Sequence, residues 1–393
     1  MQVYIHKHID DLEEIISKLE GISEKYHEMT IFQDIDWFKH CLKKSKSREE
    51  TTPYIVEITE NNKTIGIIPM HLSYRKIMNV RFSILKPIGR DHSNYVLPIL
   101  SKEYCPRKIL KVAFERIYED KDGWDCIHWE ALPKGSKMDL FLKSERNRNV
   151  KWRWLAYSPR VELNRDLEEV KKGLSKKFLK GIFYNERRLK KEGDLNYHVV
   201  DEEREIEPIL NKFYEFHCDR WEDSSFRSLD ERKLLMQLVM GLFERDLLHL
   251  SYLSHNEIIT AVELGVIDQK NRYLIMGVMN PDFHKYSIGN IITYKMIEEA
   301  CEKGYNVIDF LCGDEEYKQK WNNVNKINLE YLIFNNSKRS LLYRHINSTY
   351  NSNYSNEFLR YSTLRQVFVK LVIKGSAYLF SSKDKLIQRE LFV

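Results

Sequence analysis

Three carboxylates in the second half of the chain have neighbours that suit proton transfer. Asp309 alternates with Val307 and Leu311, so on a strand it would share its face with apolar side chains. Desolvation there raises a carboxylate pKa towards the range where it can act as a base. A carboxylate held for structure fits the same surroundings. Glu263 would share a strand face with Ala261 and Gly265, whose small size leaves room for a ligand, although an exposed strand glutamate fits that pattern too. Asp314 follows Gly313 near a helix start, where helix capping competes with base chemistry. In the stretch FYEFHCDRWED, His217 and Arg220 are three apart and share a helix face. Arg220 suits an anionic substrate through its bidentate geometry. His217 is either a base or orienting group for substrate, or a satisfied surface histidine.

The elements that must position these groups lie between Arg272 and Trp321. Arg272–Met279 is an apolar run of strand length, and Asn280–Asp282 is turn chemistry with a proline. Ser287-Ile288-Gly289-Asn290 then opens a helix on which Ile288, Ile292, Met296 and Ala300 recur at helical spacing. Gly304 stops it, Asn306–Leu311 reads as a second short strand, and Gly313-Asp314 starts another helix. Backbone N–H groups at a helix start of this kind can hold phosphate. Gly277 in the first strand lets a ligand approach the backbone closely.

The strand, Gly-bearing loop, helix and strand, closed by IDFLCGDEEYKQKW, resemble the GNAT acyltransferase superfamily, specifically its CelD/BcsL-type branch. That branch is related to the FemABX tandem-GNAT fold. The resemblance covers residues 155–335 and, more faintly, 30–150. The superfamily loop pattern Gln/Arg-x-x-Gly-x-Gly/Ala falls on His284-Lys285-Tyr286-Ser287-Ile288-Gly289. Gly289 matches it strictly; His284 replaces the usual first residue and Ser287 replaces a glycine. The resemblance implies acyl-CoA as donor, with no metal. Its phosphates would lie on His284, Lys285, Ser287, Ile288, Gly289 and Asn290. The strand amides of Met276, Gly277 and Val278 would meet its thioester. Asp309, Glu263 or Asp314 would be the base. Tyr317 sits where the resemblance puts the acid that protonates the leaving thiolate, and Lys318 beside it could contact phosphate or substrate. Core packing is the competing reading for Tyr317, and the preferred one for Trp321.

Composition sets wider bounds. The chain has 393 residues, 42% hydrophobic and 31% charged, enough to bury a sizeable core in two or three domains. A net charge of +5 is mild and does not argue for duplex DNA binding. The six cysteines show no C-x-x-C and no metal spacing, and four sit among apolar neighbours as buried free thiols. The start MQVYIHKHIDDLEE lacks the segments of a signal peptide, and no uncharged apolar run reaches spanning length. A cytoplasmic location is the expectation.

In chain order, residues 1–50 read as helical. Tyr54–Thr59 and Thr64–Leu72 form a hairpin around a polar turn. Arg81–Ile88 is a strand, Arg107–Tyr118 an amphipathic helix, and Trp124–Leu132 a strand. The same order returns in Leu248–Leu253, Ile258–Ile267 and the stretch described above. The expected fold is therefore α/β (α+β): two tandem GNAT-like domains, each a mixed, mostly antiparallel sheet flanked by helices. Boundaries are expected at 1–155, 156–335 and 336–393. The first copy has Pro98 and Pro106 and no glycine where the second has Ser-Ile-Gly-Asn, so it is expected to hold no cofactor.

Between the copies, Arg165–Glu192 is a basic helical stretch, either solvated surface or a contact for anionic substrate or cofactor phosphates. Residues 347–358 read as a polar linker, and Leu359–Phe380 as a basic, apolar helix. That helix would dock on the catalytic domain, or meet a membrane surface or a polysaccharide-synthesis complex. The resemblance implies N-acylation of an amino sugar or a nucleotide amino sugar for a surface polysaccharide. The alternatives are FemABX-like aminoacyl transfer from charged tRNA to peptidoglycan precursors, and a non-catalytic subunit of a polysaccharide-synthesis complex.

Overall fold

A computed structural model describes residues 1–352, apart from 18–24, 49, 78, 90–94, 121, 146–148, 164–165, 314 and 322–323. The chain opens with β1 (Gln2–His6), α1 (Ile9–Ser17), β2 (Tyr26–His27) and α2 (Ile35–Arg48). Residues 1–50 are thus not helical throughout. Val3 and Ile5 alternate inwards and β1 pairs with Thr59–Ile55 at one sheet edge. Next come β3 (Thr51–Glu60), β4 (Lys63–Ile77), β5 (Val80–Pro87), β6 (Ile99–Ser101), α3 (Pro106–Glu119), β7 (Cys126–Pro133), α4 (Lys137–Ser144) and β8 (Val150–Glu162). Two helices, α5 (Leu167–Gly173) and α6 (Lys176–Glu192), lead to the second half. It holds β9 (Leu195–Val199), α7 (Glu203–Arg220), α8 (Leu229–Phe243), β10 (Leu248–His255), β11 (Ile258–Asp268) and β12 (Asn271–Met279). The chain continues with α9 (Ile288–Glu302), β13 (Val307–Asp309), α10 (Glu316–Trp321), β14 (Val324–Phe334) and α11 (Lys338–Ser352).

Local chemistry explains the hairpins. Asn61 and Asn62 both hold positive φ between β3 and β4, as do Asn256 and Glu257 between β10 and β11. Two consecutive positive φ values match the twist of a tight hairpin.

The sheet is continuous, in the order β1-β3-β4-β5-β7-β14-β8-β13-β12-β11-β10-β9, with β6 also paired to β4 and β2 paired to β6. Each half repeats one plan: an edge strand, a hairpin, a further antiparallel strand, a crossover helix, then a parallel strand. The parallel pairs are β5 with β7 and β12 with β13. The final strands are exchanged. β8, from the first half, pairs with β13, while β14, from the second, pairs with β7. β8 and β14 join antiparallel at the centre. The division expected at 155/156 falls inside β8.

Helices cover both faces. Val262, Leu264 and Val266 of β11 pack with Phe213, Leu238, Trp37 and Phe38 under α7, α8 and α2. Ala261 and Leu274 face the other way, onto Ile291, Ile292 and Met296 of α9. α3 and α4 lie over Trp129, Leu329 and Tyr331. The expected linker at 347–358 is helical as far as Ser352; α11 is anchored by Leu342, Tyr343 and Ile346 against Phe82 and Phe334. The rest of that linker and the expected basic helix at 359–380 lie outside the described residues. Of the cysteines, Cys41, Cys126 and Cys301 are buried, Cys218 and Cys312 are half-buried and Cys105 is exposed, so three rather than four are sealed in. Among the described residues, no helix is long and apolar enough to cross a membrane.

Candidate active site

β12 and β13 run side by side only where Asn271–Tyr273 meets Val307–Asp309. β12 then continues to Met279 with no strand on that side among the described residues. The chain leaving Asp309 turns to β8 instead, where Phe310 N–H donates to the Pro159 carbonyl (2.9 Å) and Gly313 N–H to the Tyr157 carbonyl (3.0 Å). A wedge-shaped gap opens between the two strands. A register shift at Leu264/Gly265 bulges β12 at its mouth.

The helix start expected to hold phosphate borders this gap. Asn280 Oδ1 accepts from Asp282 N–H (3.0 Å) and begins a 3-10 turn over Pro281–Tyr286. Ser287 has φ 50° and ψ 44°, a left-handed conformation that glycine adopts without strain. Ser287 therefore keeps the backbone shape that the superfamily glycine would provide, at some steric cost. His284, Lys285 and Ser287 are exposed, whereas the Ile288 side chain is sealed in the core. Only the main chain of Ile288 can meet a ligand. Gly289 faces Met279: a Cβ there would lie 2.7 Å from the Met279 Cε. The loop is tied to the basic helix α6. Tyr286 OH donates to Glu192 Oε2 (2.6 Å), and the Arg188 guanidinium lies 4.8 Å above the Tyr286 ring. Arg188 and Lys285 thus bring two cations beside the exposed helix start.

Glu263 is 2% exposed and lies opposite Gly277 on β12. Its Oε1 accepts from Thr293 Oγ1 of α9 at 2.6 Å, and its Oε2 has no hydrogen-bond partner among the described residues. Burial pushes its pKa up to about 7, against the opposing pull of the Thr293 hydroxyl and Arg272. Tyr317, on α10, is electrostatically coupled to Glu263. Its ring is 41% exposed, yet the phenol lies deep enough that burial, then Glu315 and Glu263, raise its pKa. Arg220 acts on the same phenol with the opposite sign. The Tyr317 phenol therefore lies within electrostatic reach of both Glu263 and Arg220, all three expected as site residues.

Other expected site residues are elsewhere or otherwise engaged. Asp309 is 2% exposed and accepts from Tyr95 OH at 3.1 and 3.0 Å and from Leu311 N–H at 2.8 Å. Burial raises its pKa, against the pull of Lys326. Its contacts join the first half to the second, so the geometry takes it out of the leading place as base. The Asp309→Ala variant is expected to lose about 1–3 kcal/mol, because the buried Leu311 N–H loses its acceptor and the Tyr95 hydroxyl keeps only Ser158. Thermal melting should register that loss, while acetyl-CoA affinity stays within a few-fold of the parent protein.

Lys318 is buried, with Nζ 2.9 Å from Glu315 Oε2 and 3.4 Å from the Cys312 carbonyl; it braces its own loop rather than facing a ligand. His217 Nδ1 lies 2.8 Å from Ser224 Oγ, and its ring packs on Trp221 and Phe226. Burial lowers its pKa, so it holds the loop after α7 as a neutral group. Arg220, whose charge also reaches Tyr317, sits 4.5 Å over the Trp221 ring. Trp321 is fully buried and packs edge-on against Phe178, as expected. Asp314 lies outside the described residues. Val278 faces the core by its side chain, and Met276 is half-buried on the bulge. Sequence reasoning missed Thr293, although a hydroxyl four residues past Gly289 falls on the same helix side.

The equivalent place in the first half is closed. Tyr95, Val96 and Leu97 are buried beside β7. Gln33 Nε2 donates to the Tyr95 and Leu97 carbonyls (2.8 and 3.3 Å), and Trp129 Nε1 donates to the Val96 carbonyl (3.1 Å). α3 begins at Pro106, which has no N–H to offer. Elsewhere, His128, Glu130 and Glu330 are spaced closely enough for a metal, but Arg153 already pairs with Glu330. His128 and Arg153 hold the Glu330 carboxyl low, at about 2, despite its burial.

Residues 176–319 match the family model of the acetyltransferase (GNAT) domain. No curated protein matches the chain. Among solved structures, the fold is similar to that of FemX, at 11% identity and TM-score 0.56, over 88% of this chain and 100% of that one. It is also similar to a conserved protein of unknown function from Bacteroides thetaiotaomicron, at 13% identity and TM-score 0.52, over 85% of this chain and 100% of that one. A third is L-PGS from Bacillus licheniformis, at 13% identity and TM-score 0.50, over 83% of this chain and 92% of that one. These likenesses concern the fold. The fold is a tandem-GNAT-like α/β fold, and residues 176–319 of its second half are similar to the acetyltransferase (GNAT) domain.

Proposed function

We propose that the chain moves an acyl group from a CoA thioester to an amine, with the donor in the gap of the second half. The acceptor in this reading is an amino sugar for a surface polysaccharide, as the CelD/BcsL-type resemblance implies. The observation that carries the reading is Glu263, a buried carboxylate with pKa about 7, held by Thr293 of α9, whose hydroxyl also lies 2.9 Å from the Gly289 carbonyl. Three features fit an acyl-CoA. The side of β12 facing the gap has no paired strand among the described residues, Ser287 at the helix start is exposed with Gly289 and Asn290 half-buried, and Arg188 and Lys285 add positive charge. Glu263 takes the proton from the attacking nitrogen. The N–H groups of β12 around Gly277 meet the oxygen that gains charge. Tyr317, kept protonated, donates to the departing sulfur.

Calorimetry with acetyl-CoA tests the reading. One molecule should bind per chain, because the first half is filled by its own Tyr95–Leu97 segment, and the melting temperature should rise with ligand concentration. A stoichiometry of two would place a second donor site in the first half. A chain stabilised by charged tRNA but by no acyl-CoA would turn the assignment to aminoacyl transfer. The arginines and lysines of α6 favour that second reading, because they form an exposed basic face beside the site. Stabilisation by neither would leave a non-catalytic subunit.

A further inference from the structure

Three large aromatic side chains stand in the open at the centre of the sheet, where a strand is ordinarily covered. Trp152 is 56% exposed, Trp154 48% and Tyr157 38%, all on β8. Their spacing would scatter them over two faces if β8 were regular. A register shift against β14 prevents this: Trp152 lies opposite Tyr331, Trp154 opposite Leu329 and Tyr157 opposite Ile327. Ile327, Leu329 and Tyr331 are alternate residues of β14, so all three partners on β8 share their face. The bulge gathers the aromatics on one side.

That side is walled by one short helix from each half. α4 stands on the first-half side, where Asp139 accepts from the buried Tyr331 hydroxyl and Lys143 Nζ lies 5.0 Å over the Trp152 ring. α10 stands on the other, packed through Trp321 into the cluster that holds Val161 of β8. Between them the Trp154 and Tyr157 rings meet edge to face at 5.5 Å. The floor is continuous with the candidate active site, because the Tyr157 carbonyl accepts from Gly313, four residues before Tyr317.

We propose that Trp152, Trp154 and Tyr157 are an acceptor subsite that stacks the sugar ring of the amine substrate. Exposed aromatic patches of this kind mark binding surfaces. Their electron-rich faces suit the C–H edges of a pyranose, while the hydroxyls of the sugar remain in water. The Gly313–Tyr157 bond ties the patch to the loop that leads to Tyr317, and Lys143 at the rim is already paired with Asp139 (2.9 Å), so the rings themselves carry the contact. The acceptor class is that of the proposed function, but the contact is read by sugar binding alone, without acyl-CoA, so either can fail without the other.

The test is tryptophan fluorescence of the full chain titrated with glucosamine oligosaccharides and, separately, with uridine diphosphate N-acetylglucosamine. A saturable change is expected with at least one of them. Trp154→Ala should weaken it by about tenfold or more, as truncating a central aromatic contact does. Trp154→Phe should recover part of the loss, and acetyl-CoA affinity should be the same in all three proteins. Equal sugar affinity in the parent and Trp154→Ala proteins would overturn the proposal. So would the absence of any sugar response together with a blue shift on phosphatidylglycerol vesicles, which would make the patch a membrane-facing surface. No response to either ligand would overturn it as well.

Discussion

Glu263→Gln is expected to lower turnover by about 10²–10⁴-fold, the usual contribution of a positioned base. The change preserves shape, and Thr293 Oγ1, now 2.6 Å from Oε1, can donate to the amide oxygen instead. In the parent enzyme the rate should rise with pH through about 7, as the buried carboxyl gives up its proton. The Gln variant should lose that limb. Stability carries the opposite slope. A carboxylate pKa raised by folding favours the native state while the group is protonated. That contribution is complete below the usual carboxylate range and fades as pH rises through about 7. The Gln protein should therefore show a flatter dependence of melting temperature on pH across this window. A rate limb that persists unchanged in the variant would assign the titration to another group.

Gly289→Glu should weaken acetyl-CoA binding by about 100-fold or more, since bringing like charges together costs several kcal/mol. The new side chain would carry its charge to the exposed helix start that the donor phosphates would use. Gly289→Ala is the control. Its Cβ meets only the flexible end of Met279, at 2.7 Å from Cε, which can move aside. Calorimetry on both should separate bulk from charge: near-parent affinity for the alanine protein and loss for the glutamate protein. Equal affinity in both would move the phosphate site away from this loop.

Patterns that depend on neighbours in sequence were legible. The hairpins, the crossover helix with Ile288, Ile292, Met296 and Ala300 inward, and the stop at Gly304 follow from spacing and turn chemistry. β1 was hidden because five alternating residues cannot compete with the helical pattern that follows. The two leading carboxylates illustrate the limit at the site. Asp309 and Glu263 both alternate with apolar or small residues, and both are buried. What separates them is remote: Tyr95, 214 positions away, occupies the first, while Thr293 holds one oxygen of the second and leaves the other without a partner among the described residues. The aromatic floor was illegible for a related reason, since the bulge that aligns Trp154 with Tyr157 is fixed by β14.

The exchanged strands also impose an order on synthesis. β7 closes the first half on the side where β14 belongs, and β14 leaves the ribosome nearly two hundred residues later. Until then the nascent first half carries an unpaired strand edge, the kind of surface that recruits other chains. Pairing across so long a separation is slow, because the loop between must close first. The second half waits for nothing: β8 has already emerged when β13 needs it. The vulnerable interval in the life of this protein thus comes before release, and it belongs to the half without the proposed chemistry.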